Sequence, residues 1–79
     1  MYAPKSKMKY EGKGKVIFYD GSYYIGQFKN DLFHGKGIDY TKNGKIILKG
    51  EWLNGKMEGY GRENFKEGKY YEGQFKNGL

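Results

Sequence analysis

The chain has no cysteine and only one proline among 79 residues. Without thiols it can build neither a disulfide framework nor a thiolate metal site, and it suits a reducing compartment. Histidine and hydroxyl nucleophiles are equally scarce: His34 is the single histidine, and Ser6 and Ser22 are the two serines. A nucleophile with a positioned base cannot be assembled from this set, so the chain reads as a non-enzyme with no catalytic, cofactor or metal-binding residues. Long apolar runs are also missing, so neither a signal peptide nor a membrane-spanning helix is expected, and any membrane contact would be peripheral.

Arginine is the next shortage. The formal charge of +6 comes from fourteen lysines and one arginine against nine acidic residues. Arginine supplies the bidentate contacts that read phosphates and guanines, so specific nucleic-acid recognition is disfavoured. Branched aliphatics are sparse too, at ten Leu, Ile and Val together, while fifteen residues are aromatic and fourteen are glycine. Aromatics at this level argue against disorder, and the length allows one domain.

What is present recurs. Tyr24-Ile25-Gly26-Gln27-Phe28 returns as Leu48-Lys49-Gly50-Glu51-Trp52 and again as Tyr71-Glu72-Gly73-Gln74-Phe75. Between these lie Gly12-Lys13-Gly14, Gly35-Lys36-Gly37 and Gly59-Tyr60-Gly61. Each is followed, nine residues after its first glycine, by Gly21, Gly44 or Gly68, and the extra residue of the middle copy falls between Gly44 and Leu48. Period-two alternation, aromatic enrichment and Asn-Gly or Asp-Gly punctuation predict strands joined by tight turns, and nothing reads as a helix.

Turn chemistry then predicts a register. A two-residue type I′ turn at Asn54-Gly55 sets Trp52 opposite Met57, Gly50 opposite Gly59 and Leu48 opposite Gly61, and the same turn at Asn30-Asp31 sets Tyr24 opposite Gly37. Three-residue loops at Asp20 to Ser22 and Glu67 to Lys69 would pair Phe18 with Tyr24 and Phe65 with Tyr71. Phe28 would then face Gly14, Trp52 would face Gly37, and Phe75 would face Gly61. Each ring rests on a bare backbone, which is the structural role expected of Gly12, Gly14, Gly26, Gly35, Gly37, Gly50, Gly59, Gly61 and Gly73. The product is an antiparallel meander of about six strands with one aromatic face.

These spaced residues resemble the MORN (membrane occupation and recognition nexus) repeat. The best copy, residues 24–44, matches at Tyr24, Gly26, Phe28, His34, Gly35, Gly37 and Gly44 and departs at Asp31, where the family usually has glycine. The next has Leu48, Trp52 and Glu58 in place of Tyr, Phe and His. The resemblance divides the chain into a basic leader (1–9) and an array (10–79) made of a half copy (10–23), copies 24–47 and 48–70, and an incomplete copy (71–79). It implies an all-β, elongated, single-layer twisted sheet. It also implies a scaffold of ciliary, cytoskeletal or membrane-junction assemblies, or an accessory domain of a longer enzyme, since the repeat has no known chemistry of its own.

Phe18, Tyr24, Phe28, Trp52, Phe65, Tyr71 and Phe75 are the predicted partner-binding face, because a one-layer sheet cannot cover its own rings and another protein of a multi-subunit assembly would complete it. Lys5, Lys7, Lys9, Lys13 and Lys15 are the candidate contacts to anionic lipid, and the unpaired sheet edges are further docking sites. The expected location is cytoplasmic, at the cytoskeleton or cilium, or peripherally on a membrane. His34 is expected to bond locally, and Glu51 and Glu58 to face each other beside Lys36, Lys49 and Lys56, which argues against a metal.

Overall fold

The computed structural model describes residues 10–79, so the leader lysines Lys5, Lys7 and Lys9 lie outside the described residues. Six strands follow one another: β1 (Gly12–Ile17), β2 (Tyr23–Lys29), β3 (Leu32–Tyr40), β4 (Ile46–Leu53), β5 (Lys56–Asn64) and β6 (Tyr70–Phe75), with a short 3-10 turn at Lys66–Gly68. They form one open antiparallel sheet in chain order, about 43 × 26 × 17 Å. This is the all-β meander the sequence predicts.

Two kinds of turn alternate. At one end Asn30 and Asp31 (φ 51° and 69°) and Asn54 and Gly55 (φ 49° and 91°) occupy two-residue turns with both residues left-handed, the type I′ geometry that matches strand twist. At the other end the loops hold three residues. The N–H groups of Phe18, Thr41 and Phe65 donate to the carbonyls of Ser22, Lys45 and Lys69, each at 2.7 Å, and a glycine closes each loop. These loops start one residue earlier than expected. Tyr24 therefore pairs with Val16 rather than Phe18, and Tyr71 with Glu63 rather than Phe65.

A second register difference has its own cause. In the β2–β3 hairpin, Phe28 pairs with Phe33 but Gly26 pairs with Gly37, so Gln27 alone faces His34 to Lys36. In β4–β5, Trp52 pairs with Met57 and Gly50 with Gly61, so Glu51 alone faces Glu58 to Tyr60. Gly35 and Gly59, at φ +70° and +87°, take up the excess as bulges. Beyond each bulge the pairing runs two residues past the expected one: Tyr24 meets Asp39, not Gly37, and Leu48 meets Glu63, not Gly61. A shift of two leaves every side chain on its expected face. The extra residue of the middle copy is Ile47, left unpaired where Asp39–Leu48 gives way to Tyr40–Ile46.

These shifts bring six glycines into line. Gly14, Gly26, Gly37, Gly50, Gly61 and Gly73 are successive cross-strand partners across the whole sheet. Rings lie over this line from the strand beside it. The Tyr24 ring occupies the place of a Cβ on Gly37, Phe28 lies 3.4 Å from such a Cβ on Gly14, and Phe75 lies 3.3 Å from one on Gly61. Rings do rest on glycines, but diagonally; the residues directly opposite Phe28, Trp52 and Phe75 are Gly12, Gly35 and Gly59, all at positive φ.

With side chains absent along that line, the aromatic face closes on itself. Tyr24, Phe28, Trp52, Met57 and Phe75 are all buried, with Tyr10, Val16, Phe33 and Leu48 packed against them. Tyr24 stacks on Phe33 at 3.7 Å between centroids, and the edge of Trp52 meets both. The polar tips are satisfied: Tyr24 Oη–H donates to the Gln27 carbonyl at 2.9 Å, and Trp52 Nε1–H to the Gly37 carbonyl at 3.0 Å.

Burial pushes the Tyr24 hydroxyl up to about 12, with the nearby Asp39 carboxylate acting in the same direction. A folded-state value above the unfolded one means that stability is intact below about pH 10 and is lost as pH rises from there toward about 12. Thermal melts across that range are expected to show a loss of stability that is smaller in a Tyr24→Phe variant than in the wild type.

Candidate interaction surface

Of the seven rings predicted to form a docking face, Tyr24, Phe28, Trp52 and Phe75 lie in the core, whereas Phe18, Phe65 and Tyr71 are exposed at 36%, 52% and 44%. The sheet covers more of its own rings than an even strand register would allow, because the two bulges and the glycine line let the rings reach one another. Of the predicted rings, the exposed ones therefore lie at the three-residue-loop end and on β6. Met57, at 2% exposure, is a core residue that sequence reasoning missed. Its signal was the turn itself, which sets it opposite Trp52.

At the loop end a groove of about 1310 Å³ opens between the second and third loops. Its walls include Ile46, Ile47, Asn64 and Phe65, with Thr41 and Lys66 at its rim. The Asn64 carboxamide donates to the Ile46 carbonyl at 3.1 Å and braces its floor. Phe65 shares this lining with the lysines Lys45, Lys66 and Lys69.

The face opposite the core has a different chemistry. Tyr23 stacks on Tyr40 at 4.8 Å, the Lys15 ammonium lies 4.7 Å from the Tyr23 centroid, and the Arg62 guanidinium lies 3.8 Å from that of Tyr70. Ile25 pairs with Ile38 in the middle, and Lys13, Lys36 and Lys49 stand exposed around it. Glu51 pairs with Lys36, and the Glu72 carboxylate beside Tyr60 raises the Tyr60 hydroxyl.

A third two-residue turn, Asn77-Gly78 (φ 53° and 82°), follows β6, and each such turn is tied to a segment before it. The Asp31 amide donates to the Tyr10 carbonyl at 3.2 Å, the Gly55 amide to Phe33 at 2.9 Å, and the Gly78 amide to Met57 at 2.9 Å. The outer two ties have a carboxylate beside them: Glu11 accepts from the Asn30 amide and Glu58 from the Asn77 amide. Glu58 lies in the stretch opposite Glu51, but its carboxylate serves the next turn. His34 holds the equivalent middle position, but its Nδ1 is buried without a partner, contrary to the expectation of a local bond. Asp39 Oδ1 is likewise buried and unpaired, and burial raises that carboxyl. Among the described residues no group of three or more His, Asp or Glu could hold a metal ion, and no helix is long and apolar enough to cross a membrane.

Comparison with known proteins gives two findings. A stretch of 41 residues, 52% of the chain, is 49% identical to part of Protein TIC 100 of Arabidopsis thaliana; the match spans 5% of that protein's length. The family model for the MORN repeat matches residues 9–23, 24–38, 49–70 and 71–79. These four segments cover most of the chain and include every strand except parts of β3 and β4. The chain thus belongs to the MORN repeat family, whose repeats are binding modules without chemistry of their own.

Proposed function

We propose that the chain is a non-catalytic scaffold module that binds other proteins of a larger cytoskeletal or ciliary (axonemal) assembly. The observation that carries this reading is the division of the aromatic residues. A core of buried rings lies under one face of the sheet, while the exposed ring of Phe65 lines the loop-end groove with Ile46 and Ile47, and Tyr71 stands exposed beside Phe75. That anatomy matches an interface centre more closely than a catalytic cleft. Among the described residues β1 and β6 stand at the two edges of the sheet, and an edge strand offers a second mode of attachment.

A second reading, peripheral binding to anionic phospholipid, is supported by the lysines on the opposite face, Lys13, Lys15, Lys36 and Lys49, at ~1 kcal/mol for each that nears the surface. A third reading is an accessory repeat domain of a longer enzyme; the match to a small part of a much longer relative supports the accessory-domain half of it.

One comparison separates the first two. Phe65→Ser removes an exposed ring, so it should leave the melting temperature near wild type while abolishing co-purification of protein partners from native extract. Neutralising Lys13, Lys15, Lys36 and Lys49 should leave that co-purification intact. Flotation with phosphatidylserine vesicles that is lost on neutralising the lysines and indifferent to Phe65→Ser would favour the lipid reading instead.

A further inference from the structure

We propose that the loop-end groove takes a short extended peptide in which one bulky apolar side chain is flanked by acidic residues. This rests on the scaffold reading in taking the groove for a docking site, and goes beyond it in naming the chemistry of what docks.

The groove exists because one junction of the sheet stops short. Toward the three-residue loops, pairing runs on to Ile17–Tyr23, Tyr23–Tyr40, Tyr40–Ile46 and Asn64–Tyr70, but between β4 and β5 it ends at Leu48–Glu63. The next pair would join Ile47 to Asn64, and Ile47 is the residue left unpaired against β3. The Asn64 carboxamide reaches the Ile46 carbonyl in place of a strand pair. The loops beyond part as well. A Cβ on Gly21 of the first loop would lie 3.0 Å from Lys42 Cβ of the second, whereas one on Gly44 of the second would meet Tyr23 Oη and nothing of the third. Both walls are internal segments, between β3 and β6.

The lining falls into two sets. Ile46 and Ile47 are half-buried and Phe65 is exposed, which gives an apolar side chain three surfaces to lie against. Lys45, Lys66 and Lys69 set three ammonium groups against the one carboxylate of Glu67, and all four are exposed. An apolar anchor with negative flanks satisfies both sets at once. The groove volume, about 1310 Å³, exceeds the ~300–1,000 Å³ of small-molecule pockets and suits several residues of chain. The net charge of +6 also draws acidic segments from solution. Single-stranded nucleic acid fits less well, because stacking successive bases needs a series of open rings and Phe65 is the one aromatic residue of the lining. A bilayer fits less well too, since it meets a broad face and not a recess between loops.

Fluorescence anisotropy on the full chain tests this with a fluorescein-labelled pentapeptide, a tryptophan with two aspartates on each side. Control peptides that replace the tryptophan by alanine, or the aspartates by lysine, should each bind about tenfold more weakly or worse. In the protein, Phe65→Ser and the double change Lys66→Glu with Lys69→Glu should each weaken the acidic peptide about tenfold. These side chains are exposed, so the melting temperature should stay near wild type. Lys29→Glu with Lys56→Glu makes the same charge change at the two-residue-turn end and should leave affinity within about twofold, because distant exposed charges are screened. No binding of the acidic peptide, equal binding of either control peptide, or indifference to Phe65→Ser or to the Lys66 and Lys69 pair would each overturn the proposal. So would tighter binding of an oligothymidylate or of phosphatidylserine vesicles that is lost with the same lysine pair. Partners in native extract that depend on Phe65, with the acidic peptide ignored, would sink this inference and leave the scaffold reading standing; peptide binding without any Phe65-dependent partner would do the reverse.

Discussion

Gly50→Ala is expected to destabilise the chain by about 3 kcal/mol or more, a large part of the whole stability of a domain this size. A Cβ there would lie 2.7 Å from Gly61 Cα and 2.8 Å from the Tyr60 carbonyl oxygen. Both are backbone atoms of a paired strand, which cannot turn aside as a side-chain tip does. Relief would require parting β4 from β5 at the centre of the sheet. Gly14→Ala is the matched control. It lies on the same glycine line, but its Cβ would make ordinary contact with Phe28 at 3.4 Å, so its stability should stay within about 0.5 kcal/mol of wild type. Chemical denaturation of the pair measures the difference, and equal losses would show that the glycine line has no special requirement.

The second large effect belongs to Trp52. Its ring is 6% exposed, meets Tyr24 and Phe33 edge-on, and donates to the Gly37 carbonyl. Trp52→Ala should cost about 3–5 kcal/mol, the range for emptying a large aromatic site in a core, and should leave the Gly37 carbonyl without its partner. Read from the sequence alone, Trp52 belongs to the partner-binding face, and its loss should alter partner binding. The structure packs its ring in the core, so the change should be felt in folding as well, and near-UV circular dichroism with a thermal melt measures that. Retained signal and melting temperature would mean that the indole is not packed as described.

The difference shows where the sequence is informative and where it is not. Strand number, order, turn types and the face of each residue follow from Gly-x-Gly spacing, alternation and Asn-Gly pairs, all of which act within a few residues. The register beyond the turns does not, because it depends on whether Gly35 and Gly59 adopt left-handed backbone, and glycine permits that without announcing it. Once two residues are added at each bulge, the glycines fall opposite one another, and only then do Tyr24, Phe28 and Trp52 converge. Burial was misjudged for the same reason, since a sheet assumed to be even leaves its rings in water. The exposed status of Phe65 is equally non-local: the loop begins at Lys66 and not at Glu67, which carries Phe65 past the last pair with β6.

The ties between each two-residue turn and the segment before it have a consequence for how such a chain acquires its shape. Each strand packs substantially only against its neighbours in sequence, and each turn closes by hydrogen-bonding to a carbonyl already fixed in the preceding unit. The entropy of closing long loops, which slows most all-β proteins, is nearly avoided here. Folding can advance along the chain as a zipper, each hairpin seated on the last. A chain emerging from the ribosome can add units in the order in which they are made, and a longer array of the same design needs no new nucleus.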